Sequence, residues 1–217
     1  VLLPIISLIY SVFGVETSNF SYLWENVLIE YSIDTIYLVT ITSFFSLLFG
    51  VIPAWFISTN NFKGKNFYDI MLYLPLAIPA YIMAFTYSDI MSFTGPMQSI
   101  ARKHFPYLSD ILNQDYLQIE VLGIIMALSL YPYIYTACRL SFSLIGSNYI
   151  ELSRSLGMST SKTFFKIIVP LSRVSIFSGL FLVVMEVLNE YGAVKYFGVN
   201  TFTSGTFRSW YSMQDVQ

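Results

Sequence analysis

The sequence predicts an all-α membrane protein, a polytopic bundle of transmembrane helices. Three observations predict it. Charged residues make up 11% of the chain, less than half the share of about 25% usual in soluble domains. Hydrophobic residues make up 55%, and the mean hydropathy is +0.63. The apolar residues are gathered into runs near the length a spanning helix needs, about 20 residues. Phe and Tyr number 19 and 17, as expected where many helix ends meet the interface.

Five runs qualify. They are Val1 to about Phe13, Ile36 to Ile57, Ile70 to Met91, Val121 to Leu140, and Val174 to Tyr191. The first is short and opens on Val rather than Met, so the start reads as cut or processed. It has no basic leading region and no small-residue cleavage site, which argues against a signal peptide. The tail to Gln217 is too polar and glycine-rich to span. No soluble domain fits between the runs, and no internal repeat stands out. Pro53, Pro75, Pro79 and Pro132 lie within or near the runs. Each removes a backbone donor and can kink a helix. Kinks suit a packed, moving bundle, and they are equally ordinary membrane architecture.

Lys and Arg placement predicts the topology. The loop after the second run holds Lys63 and Lys65; the stretch around residues 139–173 holds Arg139, Arg154, Lys162, Lys166 and Arg173. Strict alternation puts these seven on one side. The other side has Arg102, Lys103, Lys195 and Arg208, and a first loop with Glu16, Glu25, Glu30 and Asp34 and no base. The richer side is expected to be cytoplasmic.

On that side lies a polar segment, Glu151-Leu152-Ser153-Arg154-Ser155-Leu156-Gly157, followed by Ile168-Val169-Pro170. Lipid does not reward so many polar groups, so the segment belongs in water. Asn148 is expected to cap a short helix, with Glu151 at its third position as in a capping box. Gly157 is expected to end it as a left-handed residue. Ser159 or Thr160 can cap a second short helix, which Pro170 breaks before the fifth run. Phe164, Phe165 and Ile168 would hold this unit against the bundle. The first helix and the Gly157 turn would stay free to enter a partner's groove. The alternative is an interfacial amphipathic helix that merely connects two spans.

Glu186 and Glu190 lie four apart near the outer end of the fifth run, a spacing that puts both on one helix face. Carboxylates in lipid are expensive, so they should face the bundle interior or water. One reading makes them hard oxygen ligands on a path for a hard cation, helped by Tyr191. The other leaves Glu190 solvated and has Glu186 pair with a polar neighbour to orient helices; for direct cation binding this second reading is favoured. Asp89 reads as a solvated helix-end carboxylate. His104, the one histidine, sits beside Arg102 and Lys103 and makes a poor metal site alone. It reads as an exposed loop residue, and the two cations beside it could meet an acidic patch on a partner. The single cysteine, Cys138, excludes an internal disulfide and a cysteine metal cluster and reads as a packing residue. No metal site and no cofactor are expected. No nucleophile–base set and no Gly-x-x-x-x-Gly-Lys-Ser/Thr loop is present, so nucleotide hydrolysis would fall to another subunit.

The polar segment resembles the EAA loop of ABC-importer permeases, Glu-Ala-Ala, then Gly, then Ile-x-Leu-Pro. Glu151, Gly157, Ile168 and Pro170 match; Leu152 and Ser153 replace the alanines, and Val169 the leucine. The resemblance implies the type I permease fold with cytoplasmic coupling helices at residues 147–170. It places Glu151, Ser153, Gly157, Ile168 and Pro170 at the ATPase contact. Leu74 to Tyr81, Leu130 to Tyr135, Glu190 to Val199 and Thr201 to Trp210 resemble ferric iron permeases of that superfamily. The implied partners are ABC ATPase subunits, a periplasmic iron-binding protein and a second permease half or subunit, with the bilayer as surroundings and no nucleic acid. Residues 1–217 would form one permease domain, most of the amino-terminal half of a two-half protein, in a bacterial inner membrane. Thiamine, polyamine and phosphonate permeases share the loop. A membrane enzyme or a gradient-driven carrier would instead need catalytic polar clusters or midplane coupling carboxylates, and neither stands out.

Overall fold

The computed structural model describes residues 6, 28–105 and 116–212, with the backbone alone at 146–148, 154 and 209–212. The run expected at Val1–Phe13 lies outside these residues, Ile6 apart. Among the described residues all regular structure is helical. In chain order, α1 is Leu28–Thr59, α2 Lys65–Met71, α3 Ala80–Met91, α4 Pro96–His104 and α5 Ile119–Ser155. α6 is Thr160–Leu171, α7 Arg173–Asn189, α8 Gly192–Phe197 and α9 Phe202–Ser212.

The faces of α1 show what surrounds the bundle. Its buried stripe mixes small, often polar residues (Thr35, Thr42, Ser46, Gly50 and Ala54) with Tyr31, Leu38 and Ile57. Its exposed stripe is large and apolar: Ile29, Ile33, Phe44, Leu48, Ile52 and Phe56. A helix bathed in water shows the reverse. In lipid, apolar burial does not drive helices together; close packing of small residues and hydrogen bonds do. Thr35 and Thr40 hydroxyls donate to the carbonyls of Tyr31 and Ile36, 2.6 and 2.7 Å, so neither faces its surroundings unpaired.

Small residues bring α1 and α7 onto α5. A Cβ at Gly50 would stand 2.8 Å from the Ile134 Cβ, and one at Gly179 would stand 2.7 Å from the Ile134 Cα. The two glycines thus grip one residue of α5. Around this point α5 buries Leu122, Ile125, Met126, Leu130, Tyr135, Cys138 and Phe142, and Cys138 is a packing residue.

α1 and the first part of α5, Ile119–Ile145, are long and apolar enough to cross a membrane. Two bent pairs are as long and apolar when each pair is taken together, the pattern of a broken span or a re-entrant loop. Lys65–Ala77 meets Ala80–His104 at 94°, and α6 meets α7 at 73°. The run Ile70–Met91 is therefore not one helix. α2 ends at Met71, Leu74–Ala77 forms a 3-10 turn, and Ile78 is extended at φ −107° and ψ 117°. A proline disfavours helix in the residue before it, and Pro75 and Pro79 lack the donors that would bond Met71 and Pro75. The Pro75 carbonyl accepts instead from the Ile78 N–H, 3.1 Å, and the Ile78 carbonyl accepts from the Ser129 hydroxyl of α5, 3.2 Å. Pro53 and Pro132, by contrast, lie inside α1 and α5 without ending them.

The fourth run also differs from expectation. α5 does not stop near Leu140 but runs on to Ser155, 37 residues in all. Asn148 therefore starts no helix; it lies within one. Ser143, Ser153 and Ser155 bond back into the helix, Ser143 to the Leu140 carbonyl at 2.7 Å, so they do not divert the backbone. The tail, expected not to span, forms α8 and α9, of 6 and 11 residues.

Candidate functional site

The polar segment expected to dock on a partner is the far end of α5 and its turn into α6. Gly157 takes φ +73°, and the Met158 N–H donates to the Ser153 carbonyl, 2.9 Å. This is the six-residue bond of a Schellman helix end. A Cβ on Gly157 would meet nothing within 4 Å, so backbone conformation, not crowding, calls for glycine there. Ser159 caps α6, its hydroxyl accepting from the Lys162 N–H at 3.4 Å. Glu151 is exposed. Ser153 is buried and its hydroxyl donates to the Tyr149 carbonyl at 2.5 Å.

Ile168 is buried in the core, and Phe164 packs beside Trp55 and Phe142 with ring centroids 5.1 and 6.4 Å apart. Phe165, expected to help hold the unit, is instead 70% exposed. Successive helical residues point about 100° apart, so an inward Phe164 turns Phe165 outward. Pro170 does not end its helix either; it lies within α6, and the bend follows at Ser172. A π turn over Phe164–Ile168, closed by the Val169 N–H to the Phe164 carbonyl, widens the backbone just before the proline. That relieves the clash a proline ring makes with the carbonyl four residues back. Leu152 and Leu156, 58% and 72% exposed, complete the free surface. Their i, i+4 spacing on a polar helix was the signal for them in the sequence.

A second feature lies at the other end of the bundle. Glu186 and Glu190 line a cavity of about 200 Å³ with Ile78, Pro79, Ser129 and Tyr133. The helical spacing expected to align the two carboxylates is broken, because α7 ends at Asn189 and Glu190 is extended. Glu190 Oε1 accepts from the Ala193 N–H of α8 at 2.9 Å, and this contact turns it back to the cavity. Tyr133 donates its hydroxyl to Glu186 Oε1, 3.2 Å. Tyr191 is not with them. It stacks on Phe207 at 4.1 Å, under the Lys195 ammonium at 5.3 Å. It lines a neighbouring cavity of about 470 Å³ with Lys195, Asn200, Ser204 and Arg208.

A third cluster escaped the sequence reading. Asp69 of α2 accepts from the Tyr135 hydroxyl and from Arg139 Nη2, the latter at 3.3 Å. Arg139 Nη1 donates to the Ser58 hydroxyl at the end of α1, 3.4 Å. Arg139 is thus a paired, half-buried residue of α5 rather than a loop cation. Its meeting with Ser58 puts the end of α1 and the later part of α5 at the same end of the bundle, as the alternation of spans requires.

Arg102 and His104 make their contacts locally. Arg102 donates to the Phe93 carbonyl at 2.6 Å and lies 4.2 Å over the Phe93 ring. His104 is exposed but ends a helix instead of lying in a loop; its Nδ1 lies 3.2 Å from the Ile100 carbonyl. The last turn of α4 holds Arg102, Lys103 and His104, the end that favours positive charge. Asp89 is exposed in the last turn of α3. Among the described residues no three His, Cys, Asp or Glu side chains group as a metal site would.

Comparison with known proteins gives this geometry a context. The chain is 26% identical over 181 residues to the Fe(3+)-transport system permease protein FbpB 2 of Haemophilus influenzae, covering 82% of this chain and 31% of that one. It is 23% identical over 164 residues to the sulfate transport system permease protein CysT of Salmonella typhimurium, covering 74% and 55%. It is 24% identical over 177 residues to the molybdenum transport system permease protein ModB of Escherichia coli, covering 82% and 72%. The chain therefore spans about a third of the first relative and just over half of the second. Residues 46–215 match the family described as binding-protein-dependent transport system inner membrane component. With most of its length so matched and its apolar helices packed for lipid, the chain belongs to that family and is a multi-pass inner-membrane protein.

Proposed function

We propose that this chain is the permease part of a type I ABC importer and that iron(III) is its cargo. A periplasmic binding protein delivers the ion, and ABC ATPase subunits bind the cytoplasmic coupling loop, residues 147–170. A second permease half or subunit completes the pathway. Glu151, Ser153, Gly157, Ile168 and Pro170 form or support the ATPase contact, with Leu152 and Leu156 as its apolar anchors. When the ATPases close on ATP they push this segment, and the bundle rocks between outward and inward access.

The observation that supports iron is the cavity beside Glu186. Two carboxylates, a phenol and a serine hydroxyl are hard oxygen donors, and no Lys, Arg or His is among its lining residues. Hard cations prefer such donors. A path must bind its ion weakly enough to release it, and two carboxylates already engaged by Tyr133 and the Ala193 N–H suit passage better than storage. A second reading, a tetrahedral oxyanion, has its own support: the neighbouring cavity carries Lys195 and Arg208, and relatives are named for sulfate and molybdenum.

Radiolabelled uptake in cells with and without the full-length gene tests both. Loss of iron(III) uptake on deletion, unaffected by excess sulfate, molybdate, thiamine or spermidine, is the expected result. Unchanged iron uptake with lost sulfate or molybdate uptake overturns the cargo and leaves the importer.

A further inference from the structure

We infer that Asp69, Tyr135 and Arg139 are positioning residues that form a polar latch between the wall of the carboxylate cavity and the helix that carries the docking turn. The inference rests on the importer reading above. α5 lines the cavity with Ser129, Leu130 and Tyr133 and runs unbroken to Ser155. From Ser129 that is about 39 Å of helix at 1.5 Å per residue. Gly50 and Gly179 grip it at Ile134, so a push at the docking end moves α5 as one body about that point.

The opposite wall is Leu76, Ile78, Pro79 and Ala80, the broken stretch that follows α2. α2 has seven residues, none of them buried, so apolar packing of this helix does little to hold it. Its ties to α5 are Asp69 to Tyr135 and Arg139, followed by Tyr73, edge-on to Tyr135 at 5.2 Å. Four residues separate Asp69 from Leu74, where the 3-10 turn begins. Where Asp69 sits therefore sets where the wall sits. The tie is also suited to being remade. The ion pair is only 22% and 24% exposed on its two sides, enough for solvent to reach it. Among the described residues the buried Arg139 Nε has no acceptor. An unpaired buried donor raises the energy of the state that holds it, so a second arrangement has a bond to gain.

The test uses the full-length protein assembled with its ATPase in vesicles, with binding protein supplied. Asp69→Asn is expected to insert and to co-purify with the ATPase as wild type does. Its uptake is expected to fall about tenfold, within the range of ordinary coupling between sites, and its ATPase rate to stop responding to binding protein. Asp69→Glu, which keeps the charge, should recover most of both. Arg139→Gln should match Asp69→Asn, and the double variant should be no worse than either, since residues of one network are non-additive. Normal uptake and normal response in Asp69→Asn, strictly additive losses, or lost insertion in both Asp69 variants would each overturn the latch. Wild-type vesicles that show no ATP-driven uptake of iron, sulfate or molybdate would instead overturn the importer reading itself.

Discussion

Two proline-bearing stretches of this bundle behave in opposite ways. α5 carries Pro132 inside it, fully buried, and stays helical for 37 residues. The stretch Lys65–His104 carries Pro75 and Pro79 and turns by 94°. A lone proline frees one carbonyl, and a helix packed on several sides tolerates that loss. Two prolines four apart remove successive donors of one helix row; the Pro75 carbonyl turns to the Ile78 N–H, and the extended Ile78 offers its own carbonyl to a neighbour's hydroxyl. The unbroken helix links distant places; the broken one makes a wall. Proline content alone does not distinguish a spine from a hinge. What distinguishes them is spacing and the helices packed around them.

The comparison can be broken outright at the spine. Gly179→Leu drives a side chain into the Ile134 backbone and is expected to destabilise by about 3 kcal/mol, the upper range for overpacking. Thermal unfolding in detergent would measure it, and an unchanged midpoint would mean α7 can move off α5. A pair of variants sharpens the contrast. Pro132→Ala restores one backbone bond and is expected to stabilise by about 1 kcal/mol. Pro75→Ala with Pro79→Ala is expected to straighten the wall and to lower uptake, although each change favours helix. Equal effects of the two on transport would erase the distinction between spine and wall. Gly157→Asp is expected to leave insertion intact and uncouple ATPase activity from uptake. Gly157→Ala, which has room for its methyl group, adds only the left-handed strain of about 1–2 kcal/mol and should keep more transport. The smallest effect is expected from Ser129→Ala, which unpairs the Ile78 carbonyl at a cost of about 1 kcal/mol. Its readout is again the unfolding midpoint.

Much of the local structure of the polar segment was legible because its signals are local. A glycine at a helix end and a serine three residues before a bonded N–H act within one turn, and Gly157 and Ser159 adopt those roles. The expected start at Asn148 failed because a capping residue marks a start only if the chain before it has left the helix. Phe165 and Pro170 were misread for a related reason: the inward direction of a residue depends on where the preceding turn has put it, and a π turn shifts that direction. The pairing of Tyr133 with Glu186 spans 53 residues and that of Asp69 with Arg139 spans 70. No periodicity carries contacts of that range.

By itself the sequence determined the class of surroundings, the approximate positions of four apolar runs, and the polar segment with its glycine turn. Those depend on composition and on bonding within a few residues. Tertiary structure alone decided which runs are broken, which carboxylate leaves its helix, and which side chains share a cavity. Those outcomes turn on backbone groups outside regular helix finding partners elsewhere, as the carbonyl of the extended Ile78 finds Ser129 of α5. Within lipid an unpaired carbonyl has no water to fall back on, so the neighbouring helix decides where a proline bends the chain.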